Sequence, residues 1–463
     1  MRVVLSLPLA TNDNKLMPTK CIESASDAPT RPAKLFNFLF HGGHGVFYFY
    51  QPLLLTRRGL SASLVGAVLG MRPAIGTLVT PLWSAAADKF DAHRVLLLTG
   101  LVIGSSSRIL FCIVPTDPIW MLMTAILSES LLCHVVPLGD AAVFIKLARL
   151  GRPREEYSLQ RLWGAVAAAF FLPVAGALLT ANSHGAAWSI VLGLTVGTLW
   201  LNACVVPALF ITTGGVPEAP SSTAPADPAA KWRALRHLRI SPRGVARTCL
   251  LFSCGAFHAV TEGFLFVYLE ALGAPEILCG LAITVTCSSE TAVMAVSGRL
   301  MRRYGVDACL AFVLAGYTIR FLGYAYLQQM PYTWAVLIFQ TLHGLTFGLY
   351  WTVGTTSAAE CAPRGLEATL QGAFTALISA GQTLALVGGG YLYEHHGGAK
   401  LYGGAFIAAA GVLLVAIALV LASSRSQSQE KRRWPSGTQR AQEEDDAVLT
   451  AGSLRSDNGS ENL

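Results

Sequence analysis

Apolar stretches of about twenty residues recur along this chain, and they constrain its fold more than any other feature. Twelve are read, at about 34–55, 62–83, 94–114, 118–145, 161–181, 186–211, 247–271, 276–298, 308–328, 332–360, 367–392 and 401–423. About twenty helical residues rise about 30 Å, the thickness of a bilayer's hydrocarbon core. Lipid offers a backbone no hydrogen-bond partners, so each stretch is expected as a helix. Composition agrees, with 53% hydrophobic and 13% charged residues, where a soluble domain carries about 25% charged. The expected fold class is all-α and polytopic, twelve transmembrane helices in two six-helix halves.

The bases set the orientation. With both termini in the cytosol, only Arg57, Arg58 and Lys400 of the 34 Lys and Arg lie in outer loops, which satisfies the positive-inside bias. The net charge of +7 is therefore no nucleic-acid footprint. Five parts follow: a cytosolic N-terminal tail (1–33), a first half (34–211), a cytosolic central loop (212–246), a second half (247–423) and a disordered cytosolic tail (424–463). Val3 to Ala10 follows Arg2 and resembles a short targeting segment, although a polytopic chain inserts equally by its first span. Within the central loop, Lys231 to Arg239 mixes bases with apolar residues at helical spacing. It reads as an interfacial helix on an anionic leaflet or as a solvated basic loop. The ten cysteines show no Cys-x-x-Cys and lie mostly in apolar runs, as small core residues do.

The two halves repeat one another. Setting Ser84 against Gly298 gives an offset of 214, which also superposes Gly59 on Gly273, Gly66 on Gly280, His44 on His258, Tyr48 on Glu262 and Glu129 on His343. Arg108 falls on Arg320 at an offset of 212. A duplicated apolar half is the pattern of many transporters. The stretch Pro81 to Arg94 joins two apolar segments through small residues, then Asp88-Lys89 and Arg94, and its mate is Gly298 to Gly305 with Arg302 and Arg303.

That stretch resembles the loop between helices 2 and 3 of the major facilitator superfamily, usually Gly-x-x-x-Asp-Arg/Lys-x-Gly-Arg-Arg/Lys. Ser84 and Asp91 stand where the glycines usually are, while Asp88, Lys89 and Arg94 are kept. Gly59 to Ala62, Tyr157 to Gly164, Leu342 to Thr346 and Ala368 to Gly372 are similar to a narrower group. That group holds the animal facilitator domain-containing protein 6 members and bacterial phenylpropionate-permease-like carriers. The resemblance covers about residues 34 to 423. It implies the facilitator fold, with helices 1, 4, 7 and 10 lining a central cavity, and leaves the substrate open.

Charged residues at the bilayer centre cost about 2.5–3.5 kcal/mol each on insertion scales and mark sites that need a reason. Glu129, Glu262 and Glu290 lie within spans, as do Arg72, Arg108 and Arg320, and the equal count suggests pairing. Segment 1 carries Asn37, His41, His44 and Tyr48 at steps of four, three and four, which share one helical face. Segment 7 carries His258 and Glu262; segment 4 carries Glu129 and Asp140 nearly in line; segment 10 carries Gln340, His343, Phe347 and Tyr350. The candidate solute and proton site is Glu129, Glu262, Glu290, His44, His258, His343, Arg72, Arg320 and Tyr48. Arg108 and Arg320 read rather as structural, paired with an acid or a carbonyl, and each histidine has the alternative of being neutral and merely hydrogen-bonded. Asp88, Lys89, Arg94, Arg302 and Arg303 form the candidate gate.

Glu290, Arg320 and His343 resemble the proton-coupling set of lactose-permease-type symporters, but Thr346 stands where those carriers have an acid. His41 and His44 have a zinc-compatible spacing without further ligands, so no metal is expected. No Walker loop, Gly-x-Ser-x-Gly or His-Glu-x-x-His appears, so neither an enzyme nor an ATP-driven pump is expected, and no cofactor. The expected function is secondary transport of a small polar or amphipathic solute by a monomer, coupled to protons. An uncoupled facilitator and a non-transporting receptor or scaffold are the alternatives.

Overall fold

The computed structural model describes residues 28–152, 156–181, 186–210, 242–361 and 367–433, and every long element among them is helical. The first half holds α1 (Arg31–Arg57), α2 (Ala62–Phe90), α3 (His93–Ile113), α4 (Pro118–Arg149), α5 (Tyr157–Ala181) and α6 (Ala186–Phe210). The second half begins with α7 (Pro242–Ala271). Next, Glu276–Tyr326 is broken at Gly305 into α8 (276–304) and α9 (306–326). α10 (333–361), α11 (Glu367–His396) and α12 (Gly398–Arg433) complete it. Ten stretches among the described residues are long and apolar enough to cross a membrane, and one of them, Glu276–Gln329, holds two passes. α1 makes the twelfth pass, its apolar character diluted by the polar stripe from Asn37 to Tyr48.

Helix boundaries depart from the apolar stretches where tertiary contacts or charge extend a helix. α7 starts five residues before the expected 247, because Arg243 and Arg247 in its first turns both reach the buried Asp307 of α9, at 2.7 and 2.5 Å. α12 continues through the polar residues 424–433, which were expected to be disordered. Gln, Glu, Lys and Arg are good helix formers. The targeting segment at Val3 to Ala10, the basic segment Lys231 to Arg239 and the tail 434–463 lie outside the described residues.

α4 bends at Cys133–His134, so Glu129 and Asp140 stand on different segments rather than on one straight face. Pro137 supplies the cause: it has no N–H to give the Cys133 carbonyl and crowds the preceding turn. Its repeat mate α10 departs from α geometry at the matching place, with a π turn over Gly344–Leu349.

The halves pack along two helix pairs. α2 and α11 approach until a Cβ on Gly66 would lie 2.3 Å from the Leu386 carbonyl oxygen, and one on Gly390 2.5 Å from that of Ala62. α5 and α8 meet similarly, and the Thr284 hydroxyl donates to the Ala169 carbonyl at 3.0 Å. Arg57 clamps Glu270 at 2.5 Å and also Glu276, and the Ser63 N–H donates to Glu394 at 2.8 Å. These links run from the Arg57 end of the bundle to its middle.

Candidate solute and proton site

The stripe on α1 sits at the centre of this packing. His44, Tyr48 and, one step further along the same face, Gln51 line a cavity inside the first half with Phe47, Arg72, Arg108, Phe111, Ala125, Ser128 and Glu129. The cavity has a volume of about 50 Å³. α2 contributes Arg72, α3 Arg108 and α4 Glu129. Arg108 donates to His44 Nδ1 at 2.7 Å and lies 4.5 Å over the Phe47 ring. Arg72 donates to the Tyr48 carbonyl at 3.1 Å and to Gln51 Oε1 at 3.3 Å, with its guanidinium 3.9 Å over the Tyr48 ring.

The second half holds the repeat copy. His258 Nε2 lies 3.3 Å from Glu262 Oε2, and the His258 ring packs against His343 and Phe347. Arg320, 1% exposed, donates to Tyr324 Oη, Thr346 Oγ1, Gln340 Oε1 and His343 Nδ1 at 3.1, 2.6, 2.7 and 3.4 Å. Of the two partners expected for Arg320, an acid or a carbonyl, it is the amide carbonyl of Gln340 that it meets. Neutral oxygens and an imidazole nitrogen fill its donors, which the fork of a guanidinium permits without a carboxylate. Glu290 stands apart from it, with its side chain beside Gly348 of α10. The acid–arginine–histidine set is present only as Arg320 with His343.

The copies meet at Tyr48 and Glu262, repeat mates 214 residues apart, where the tyrosine hydroxyl donates to Glu262 Oε2 at 3.2 Å. A pseudo-twofold axis between the halves brings a residue against its own mate only close to the axis. Tyr48 and Arg72 also line a second cavity, between the halves, with Pro73, Ala259, Glu262, Gly263, Gln382 and Leu386.

Of the gate candidates, Lys89, Arg94, Arg302 and Arg303 are exposed at the end of the bundle opposite Arg57. Lys89 lies over the Phe90 ring and Arg303 over the Tyr304 ring. Asp88 occupies the last turn of α2. Gln51 and the cavity role of Arg108 escaped the sequence reading. Gln51 was reachable from sequence, being three residues past Tyr48 on the same stripe. His41, the other stripe histidine, faces Arg161 of α5 and the Asn37 carbonyl instead of the cavity.

Two helical halves, each carrying a buried polar cluster that abuts the other, define a multi-pass integral membrane protein of the carrier class. Residues 32–404 match the model of the MFS_1 like family, and the chain belongs to that family. It is 24% identical over 400 residues to the maltose permease of Geobacillus stearothermophilus, covering 86% of this chain and 96% of that one. It is 27% identical over 139 residues to the major facilitator superfamily domain-containing protein 6-like protein A of Xenopus laevis, covering 30% of this chain and 22% of the relative. Among solved structures, the nucleoside transporter NupG superposes with a TM-score of 0.66 at 17% identity, covering 85% of this chain and 98% of that one. A peptide transporter POT in complex with sulfate superposes at 0.64 with 13% identity, covering 86% and 94%. At such identities the structural likeness speaks for the fold alone.

Proposed function

We propose that this chain is a secondary carrier that moves a small organic solute by alternating access, with proton coupling. The observation that carries the reading is the Tyr48–Glu262 contact. It puts titratable clusters from both halves against each other at mid-span, where any rocking of the halves must break or remake it. Curated relatives include a maltose permease, and solved neighbours include nucleoside and peptide transporters, so small polar solutes are the first class to try. Glu129, Glu262 and Glu290 are the proton candidates, because a carboxylate moved between wet and dry surroundings can load and release a proton.

The distribution of bases supports a cytosolic position for both termini. The Arg57 end is then the outer end, held shut by Glu270, Glu276 and Glu394. The Lys89, Arg94, Arg302 and Arg303 end faces the cytosol, where these bases, with Asp88, would close the carrier when the outer end opens. The division at a cytosolic central loop, 212–246, belongs to the same reading.

The test is uptake into sealed proteoliposomes under an imposed inward proton gradient, with a panel of sugars, nucleosides and small organic acids. Saturable uptake is expected, abolished by a protonophore and reduced at least about tenfold in Glu129→Gln or Glu262→Gln, a loss worth about 1.4 kcal/mol. Uptake that ignores the gradient would overturn the coupling. A folded protein that moves nothing would overturn the carrier reading.

A further inference from the structure

We propose that the cavity inside the first half binds the anionic group of its ligand, a carboxylate or comparable monoanion, between Arg72 and Arg108, and takes it together with a proton on Glu129. The inference deepens the carrier reading and rests on it for transport alone; the binding claim stands separately.

The donors make the case. Arg108 is 3% exposed, and among the described residues only its NH2 has an acceptor, His44; Nε and NH1 have none there. Arg72 directs NH1 to Tyr48 and Gln51, and its buried Nε is likewise unpartnered. Arg320, the repeat mate of Arg108, behaves oppositely, with Nε, NH1 and NH2 all supplied with acceptors by the protein. Leaving buried charged donors unmet is costly. The three unmet donors of these two cavity-lining guanidinium groups are therefore open to an acceptor from outside, and a carboxylate, with two charged oxygens, is the acceptor that suits guanidinium donors best. The guanidinium carbons of Arg108 and Arg72 lie over the rings of Phe47 and Tyr48, which holds them in place. Phe111 completes an apolar wall suited to the body of an amphipathic solute.

Glu129 supplies the proton. It shares the cavity with His44 and Tyr48 of α1, Arg72 of α2 and Arg108 of α3, and Cys133 follows it one turn on in α4. An ionised Glu129 and a bound anion repel in a poorly screened space. Binding the anion with a proton on Glu129 removes that repulsion and leaves the cavity's net charge unchanged. Tyr48 and Arg72 also line the cavity between the halves, so a solute held there can reach its charged end past them towards Arg108. A free small anion would satisfy the same donors.

The experiment titrates the full-length protein in lipid nanodiscs with sodium formate, sodium benzoate and the neutral benzamide, by calorimetry and thermal shift, between pH 5.5 and 7.5. Saturable anion binding is expected, with benzamide inert. Affinity should rise by about tenfold per pH unit of acidification while Glu129 is ionised, the slope for one linked proton. That slope should vanish in Glu129→Gln. Arg108→Gln should weaken binding at least about tenfold, with partial recovery in Arg108→Lys. Formate binding as tightly as benzoate, without benzoate uptake into proteoliposomes, supports a free-anion site. Tighter benzoate binding with uptake supports a solute-borne carboxylate. Absence of anion binding, equal binding of benzamide, or unchanged binding in a folded Arg108→Gln protein overturns the inference. If that variant does not fold, the acid-against-amide comparison on the unaltered protein decides. Uptake of a neutral solute with no anion binding would refute this site and leave the carrier standing. Anion binding without any uptake would do the reverse.

Discussion

Asp91 and Gly305 occupy the same place in the two repeats, and both have positive φ, 47° and 78°. Asp91 closes α2 in the left-handed helical region, where its backbone lets the Ala92 N–H reach the Ala87 carbonyl at 3.0 Å. Aspartate tolerates that region better than most residues do. Gly305, at ψ 167°, lies where essentially only glycine goes. The apparent loss of a glycine from the first loop is therefore a tolerated substitution, and the second glycine is obligatory. Gly305→Ala is expected to cost about 1–3 kcal/mol, whereas Asp91→Gly should be neutral or stabilise by up to about 1 kcal/mol. Thermal unfolding in detergent measures both, and equal shifts of the same sign would sink the argument.

At the scale of elements, the informative feature is where helices stop being regular. α4 breaks four residues after Glu129, and its mate α10 turns into a π turn immediately after His343. Such departures gather at functional sites. The first was legible in Pro137. The second had only Gly344 as a sign, whose Cβ would sit 2.2 Å from the Ser289 carbonyl oxygen, a fact no sequence pattern states. The α2–α11 pair yields a sharper expectation. A side chain at Gly66 cannot coexist with the Leu386 carbonyl at its present distance, so Gly66→Leu should hold the Arg57 end open. Uptake should fall and a Ser63→Cys reporter should label faster with an impermeant maleimide. Unchanged labelling together with normal uptake would show that the close approach is dispensable.

Over the whole molecule, the halves are balanced by a few contacts at the Arg57 end. Arg57, Glu270 and Glu276 keep partial exposure, so each ion pair is worth no more than about 1 kcal/mol. Arg57→Gln should therefore shift the balance toward opening by only a few-fold, and high salt should mimic it. Ser63→Cys labelling rates in Arg57→Gln, and in the paired charge reversal Arg57→Glu with Glu270→Arg, measure the shift. Identical rates in all backgrounds would mean that the clamp holds nothing.

Sequence by itself determined the class of fold, because the bilayer is a strict solvent. It demands apolar stretches of one length, permits only helix in them, and makes every charge within them conspicuous, so Glu129, Glu262, Arg72 and Arg320 could be picked out unaided. The offset of 214 went further, since it named Tyr48 and Glu262 as mates before they were seen to touch. Only the tertiary structure decided who pairs with whom. Arg320 turned to Gln340 and Thr346 rather than to Glu290, His41 turned to Arg161, and Arg108, lining a cavity, was left with two buried donors that have no partner among the described residues. Periodicity fixes the face a side chain leaves from. Its partner depends on how helices distant in sequence are rotated and bent against one another, and that is settled by packing at places such as Gly66, Pro137 and Gly344.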